Sequence, residues 1–350
     1  MAAAPLPAAS RIVVRPPNWL GDAVLALPAL AAIRAAYPRA HLTVAAPSSV
    51  AALFRENTPL RPDEVLELSP STQAAVAALR GGRFDLGILF PNSFRSAWQF
   101  WRGGIPARWG YGTAGRGLLL TRRSARGRAA SRHQSDYYRA LVIGLGMACE
   151  PGLAPSVTPS LPSEHRAAAL LDERRISTSA RLVVLAPGAA YGQAKQWPPE
   201  RMAELAARLV TELDATCIVI GATHDRGAAR AIESWLRDHA PAAAPRVADL
   251  VGRTSLGAMI GVTAKAAVFV SNDSGGMHLA AALGRPVVAM FGPTDERATR
   301  PIGDHDVLTA DVFCRPCMLR DCPIDHRCMK RITVDTVLDA VARRLTASGR

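Results

Sequence analysis

The chain has 350 residues, 49% hydrophobic and 20% charged, an ordinary globular composition with room for two domains at roughly 100–200 residues each. Its longest apolar run, 23–33, is 11 residues, well short of the ~18–20 that a membrane-spanning helix requires. The formal net charge is +13, yet Lys195, Lys265 and Lys330 are the only lysines among 42 basic residues. The opening MAAAPLPAAS lacks the basic start of a signal peptide, so the expected compartment is the cytosol. There the six cysteines should be mostly reduced.

Taken in chain order, 11–15 (RIVVR) reads as a short buried strand, PPNWLGD as a turn, and 23–36 as a helix ended by Pro38. HLTVAA (41–46) is the next strand, so strand, helix and strand follow one another as in a parallel βαβ unit. A helix at 72–80 and a buried strand at 84–90 come next. Residues 103–132 are rich in Gly, Arg and Ser and read as a long loop or flap. Within 95–139 ten arginines face one acid, Asp136, for a net charge of +9. Such a stripe suits an anionic partner: nucleic acid, a membrane surface or a phosphorylated substrate. Residues 150–163, with four prolines, read as a connector. A second alternation follows, with strands at 181–185, 216–221, 266–270 and 286–291 and helices at 199–213, 226–240, after SNDSGGMH, and at 334–345. Two Rossmann-like α/β domains joined near 155–175 are expected, with a cleft between them and ligands beyond the C-terminal strand ends.

Each candidate motif lies just after a strand. Asp22 in PPNWLGD is either an acid favoured by a helix N-terminus or a general base for a substrate hydroxyl. The loop PGAAYGQAKQWP offers main-chain amides from Gly188 onward and the point charge of Lys195 to a diphosphate; the plain alternative is a surface lysine. It is not a P-loop, because GxxxxGK[ST] is absent. In SNDSGGMH, Asp273 can accept hydroxyls, Ser274, Gly275 and Gly276 open a helix toward an anion, and His278 can reach phosphate or hold the loop; capping and packing are the alternatives. Asp225 in GATHD can bind ribose, as acids there do in nucleotide folds. Cys314, Cys317, Cys322 and Cys328 can form a structural zinc site, or stand as thiols or disulfides.

The chain resembles glycosyltransferase family 9, the bacterial ADP-heptose:lipopolysaccharide heptosyltransferases, and most closely the heptosyltransferase II type. The resemblance rests on PPNWLGDAVLALPAL, FPNSFRSA (90–97), PGAAYGQAKQWP (187–198) and SNDSGGMHLAAALGRPVVAMFGPT (271–294). It implies a GT-B fold, with an acceptor domain over 1–165 and a nucleotide-sugar domain over 175–330. A terminal segment, 331–350, would be free to pack back on the first. It implies inverting transfer of heptose from ADP-heptose to an inner-core heptose of a lipid A–Kdo–heptose acceptor, with no cofactor needed for catalysis. Heptosyltransferase I or III, acting on another core sugar, is the nearer alternative, and a basic nucleic-acid-binding protein the distant one. Asp22 matches the proposed base. Gly188, Lys195, Asp225, Asp273, Ser274, Gly275, Gly276 and His278 match the nucleotide side. Asn92, Ser93, Arg95, Arg122 and Arg123 fall on the acceptor side. The expected location is the cytosolic face of an anionic inner membrane, with no nucleic acid as partner.

Overall fold

The computed structural model describes residues 6–125, 133–176 and 181–347, and these divide into two compact units after Thr158. The boundary falls within the 155–175 joint read from the sequence, before residue 165. Helix Leu161–Glu173 belongs to the second unit, where it packs on helix Leu256–Ala264. The two approach so closely at Gly261 that a Cβ there would lie 2.4 Å from the Ser163 carbonyl oxygen.

The first unit is built on six parallel strands: β1 (Arg11–Arg15), β2 (His41–Pro47), β3 (Glu64–Leu68), β4 (Leu86–Leu89), β5 (Ala107–Tyr111) and β6 (Arg122–Ser124). Their order is β3-β2-β1-β4-β5-β6. β1 and β4 read as unbroken apolar runs because both faces of a parallel sheet are covered. The chain winds outward from β1 through β2 to β3, then returns to place β4 on the other side of β1. That reversal opens a crevice beyond the ends of β1 and β4, where α/β sheets bind ligands. The register Arg15↔Leu89 brings the loops after both strands to the same edge.

One expectation is corrected here. The described part of 103–132 is no flap: it supplies β5 and β6, joined by a short 3-10 turn at Arg116–Leu119. Residues 126–132, with Arg126 and Arg128, lie outside the described residues.

The second unit repeats the plan with β7 (Arg181–Ala186), β8 (Ala215–Val219), β9 (Val247–Asp249), β10 (Val268–Asn272), β11 (Val287–Phe291) and β12 (His305–Thr309). The order β12-β11-β10-β7-β8-β9 puts the reversal between β7 and β10. Period-two alternation divides the strands between two cores. Val183, Leu185, Val268 and Val270 face helices Pro199–Leu213 and Arg226–His239. Leu182, Val184 and Phe269 face helices Leu161–Glu173 and Gly275–Ala282.

The terminal helix Val334–Ala347 also belongs to this unit. Its apolar face, Val337, Leu338, Val341 and Leu345, enters the same core as Met202 and Leu209. Arg344 pins it to Asp306 at 2.8 Å and to Asp304, and Arg208 meets Asp335 at 2.6 Å. That apolar stripe finds its cover in the core of the second unit. Among the described residues no helix is long and apolar enough to cross a membrane.

Candidate active site

In the second unit, the loops after β7 and β10 meet at the reversal. Lys195 Nζ lies 2.5 Å from Asp273 Oδ2, with the two side chains 11% and 5% exposed. The same Oδ2 accepts the Thr294 hydroxyl at 2.7 Å. Asn272 fastens the loop at both ends: its Nδ2 donates to the Pro187 carbonyl at 2.7 Å and its Oδ1 accepts the Trp197 amide at 3.1 Å. Ser274 precedes helix Gly275–Ala282 without capping it through its side chain, and its hydroxyl lies 3.3 Å from that of Ser271. The half-buried first residues Gly275 and Gly276 leave main-chain amides at the helix start, the kind of group that favours an anion. His278 is buried at the end of that first turn. The two loops therefore carry a cation and a set of amides side by side.

Asp225, just beyond β8, is brought against the same loop. Its carboxyl packs so tightly on Gly188 that a Cβ there would meet Asp225 Cγ at 2.3 Å. Oδ2 accepts the Ala222 amide at 2.8 Å. Oδ1 is buried with no hydrogen-bond partner, and the His224 Nε2 stands 3.4 Å away. A buried carboxylate oxygen is costly to leave unsatisfied, and a sugar hydroxyl is the kind of group that would satisfy it.

In the first unit, Asp22 sits in the first turn of helix Leu20–Leu25, beyond β1. Its Oδ1 accepts the Tyr138 hydroxyl at 2.8 Å, and Gln134 Nε2 donates to that hydroxyl at 3.0 Å. Burial, and then the Asp22 charge, push the Tyr138 phenol well above its ordinary range, so it stays protonated and donates. Trp19, three residues before Asp22, is 63% exposed, an apolar face beside a carboxylate. Arg15 closes β1, holding the Ala45 carbonyl and Asn18 Oδ1 at 3.1 Å each. Burial, and then the charge of Arg95, lower its guanidinium to about 10.

Several arginines of the stripe are turned to the protein itself. Among the described residues, four of the ten serve main-chain carbonyls. Arg95 bonds Pro70; Arg108 bonds Leu119 at 2.6 Å and Pro106 at 3.0 Å; Arg139 bonds Glu150 at 3.2 Å and Leu153. Arg116 is fully buried and binds the Tyr111 carbonyl at 2.9 Å, the Pro91 carbonyl and Asn92 Oδ1 at 3.3 Å. Arg122 lies over the Trp109 ring at 4.9 Å, while Arg123 is exposed. Asn92 also donates to the Tyr137 hydroxyl at 2.6 Å, and Ser93 caps helix Phe94–Arg102. Both side chains therefore hold the β4 loop in shape.

The four clustered cysteines carry free thiols, with Cys317 exposed and Cys328 buried. Among the described residues no group of three or more His, Cys, Asp or Glu could hold a metal ion. Cys328 lies in the core beside Gly292 and Met329, and its thiol is pushed up first by burial, with the charges of Cys314, Cys322 and Cys317 adding to the effect. Elsewhere, complete burial pushes the Cys217 thiol up to about 12.

Sequence reasoning missed four residues of these sites: Asn272, Thr294, Tyr138 and Gln134. Asn272 and Thr294 stood inside a quoted motif without being singled out. Thr294 lies 21 residues from Asp273 and Tyr138 lies 116 from Asp22, separations that carry no local signal.

Comparison with known proteins bears on the family and the fold. The model of glycosyltransferase family 9 (heptosyltransferase) matches residues 73–327. Lipopolysaccharide heptosyltransferase 2 of Salmonella typhimurium is 31% identical over 306 residues, covering 83% of this chain and 85% of that protein. The structure of E. coli ADP-heptose LPS heptosyltransferase II superposes with a TM-score of 0.84 at 26% identity, covering 97% of this chain and 100% of that one. A family 9 glycosyltransferase from Veillonella parvula shares the fold, with a TM-score of 0.79 at 20% identity over 97% of both chains. Two parallel six-stranded sheets, flanked by helices, are those of the GT-B heptosyltransferases. The chain belongs to glycosyltransferase family 9, the heptosyltransferases.

Proposed function

We propose that the protein transfers L-glycero-D-manno-heptose from ADP-heptose to the inner-core heptose of lipopolysaccharide, in the manner of heptosyltransferase II, with inversion in a single displacement. The observation that carries the reading is the meeting of Lys195, Asp273 and the Gly275–Gly276 amides at the β7–β10 reversal. A cation and fixed dipoles held there suit a diphosphate that gains charge as it departs. Asp225 Oδ1 supplies an acceptor for ribose, and Asp22 takes the proton of the attacking hydroxyl. The chain's own cations hold the departing charge in this scheme.

ADP release from ADP-heptose, measured against a panel of truncated core acceptors, tests it. Turnover that requires the first heptose supports type II. Turnover on an acceptor ending in Kdo would move the assignment to heptosyltransferase I. Turnover only on a longer core would move it to heptosyltransferase III.

Lys195→Ala is expected to weaken ADP binding about tenfold to a hundredfold, the range of a lost charge-assisted hydrogen bond. Calorimetry reads it, and unchanged affinity would remove Lys195 from the site.

The same reading puts the enzyme on the cytosolic face of the inner membrane. Exposed Arg102 and Arg123, with exposed Trp101 and Leu118 on the same unit, support contact with anionic lipid. Binding to anionic vesicles should fall as salt rises; binding indifferent to salt, or none, would refute that contact.

A further inference from the structure

The cysteine-rich segment 314–328 has no part in the reading above, yet it is built onto the loop that carries Lys195. The Ala194 amide donates to the Arg320 carbonyl at 3.0 Å, and the Tyr191 hydroxyl donates to the Met318 carbonyl at 3.0 Å. Gly192 allows the approach: a Cβ there would stand 2.4 Å from the Arg320 carbonyl oxygen. These contacts use the main chain of the segment, so they do not depend on which side chain Arg320 carries.

That docking places two cations on one aromatic ring. Lys195 Nζ lies 4.6 Å from the centre of the Tyr191 ring and Arg320 Cζ lies 5.1 Å from it, within cation–π range. The two charges are therefore within about 10 Å of one another. Their compensation differs. Lys195 is matched by Asp273 at 2.5 Å. Of the other arginines in the segment, Arg315 is matched by Glu296 at 2.6 Å and Arg327 by Asp325 at 3.0 Å. Arg320 is exposed, and no carboxylate among the described residues forms an ion pair with it.

We propose that Arg320 is a second cation for the diphosphate of the nucleotide sugar, presented beside Lys195 by the cysteine-rich segment. The inference rests on the ADP-heptose reading above. Lys195 and Asp273 together carry no net charge, so a site made of that pair alone offers a departing diphosphate little electrostatic gain. Arg320 makes the site cationic, and its planar fork can hold two phosphate oxygens at once. Tyr191 keeps both cations oriented without neutralising either.

The test compares wild type, Arg320→Ala and Arg320→Lys by calorimetry with ADP, adenosine and inorganic diphosphate, and by acceptor-dependent ADP release. Arg320→Ala should weaken ADP and diphosphate about tenfold or more and lower kcat, with adenosine affinity unchanged; Arg320→Lys should recover part of the loss. Wild-type ADP affinity and kcat in Arg320→Ala would overturn the assignment while leaving the sugar-donor reading intact. Equal loss of adenosine and ADP would also overturn it, by showing a structural role. A wild-type protein that binds neither ADP nor diphosphate would overturn the sugar-donor reading itself, and the Arg320 assignment with it.

Discussion

Asp22→Asn is expected to lower kcat by about 10²–10⁴-fold, the value of a positioned general base, while ADP affinity stays unchanged. Asparagine keeps the shape of the side chain, and its amide oxygen can still accept the Tyr138 hydroxyl. The residues assigned to the nucleotide lie on the second unit, and Asp22 lies on the first. What the substitution removes is the capacity to take a proton. Tyr138 matters to this because its hydroxyl fixes one carboxylate oxygen at 2.8 Å and is itself oriented by Gln134 at 3.0 Å. A base held this way is already placed when the hydroxyl arrives. Steady-state ADP release and calorimetry on the same preparation measure the two quantities. A variant that keeps the wild-type kcat would remove Asp22 from the mechanism.

Arg116→Leu should cost about 3–5 kcal/mol of stability, comparable to breaking a buried charged network. The guanidinium is 0% exposed and serves two main-chain carbonyls and Asn92 Oδ1. Burial lowers it to about 10, so it remains a cation at neutral pH. Its donors answer acceptors that no leucine can satisfy, and each buried acceptor left alone costs about 1–3 kcal/mol. For a unit of this size the unfolding transition should fall by about 10 °C. Calorimetry of the full chain, whose two units need not unfold together, would show it in the transition of the first unit. Arg123→Ala, at the exposed edge of the same sheet, is the control and should shift that transition little. A shift in Arg116→Leu no larger than the control would contradict the structural role.

The pair of variants also separates two uses of arginine that the sequence presents as one. Ten arginines within 95–139 count equally toward net charge. In the structure Arg95, Arg108, Arg116 and Arg139 bond carbonyls of the unit itself. Charge summed along a chain reports what solvent and partners feel only for side chains that reach them. Direction and burial decide which those are.

The central strands and several long helices were legible because their signal is local, whereas helices Gln134–Gly144 and Leu161–Glu173 were not read. RIVVR became β1 at 11–15, and the helix predicted at 199–213 is found as Pro199–Leu213. The predicted helix 23–36 is broken at Ala26 into Leu20–Leu25 and Leu27–Ala36, with Pro28 in the first turn of the second. The edge strands were not legible. β3, β9 and β12 are half-exposed, and β6 is the arginine pair and serine of RRS, so they lack the apolar run that marks a buried strand. Their pairing comes from a neighbour already in place.

By itself the sequence determined two α/β units with parallel sheets, and it singled out the strand-end loops that carry Asp22, Lys195 and Asp273, because apolar period and post-strand loops are written in contiguous residues. Only the tertiary structure decided that Lys195 pairs with Asp273, that Tyr138 holds Asp22, that the terminal helix joins the second core, and that Arg320 shares a ring with Lys195. Each of these joins residues distant in the chain, and such contacts form only once packing has fixed which strand ends lie together.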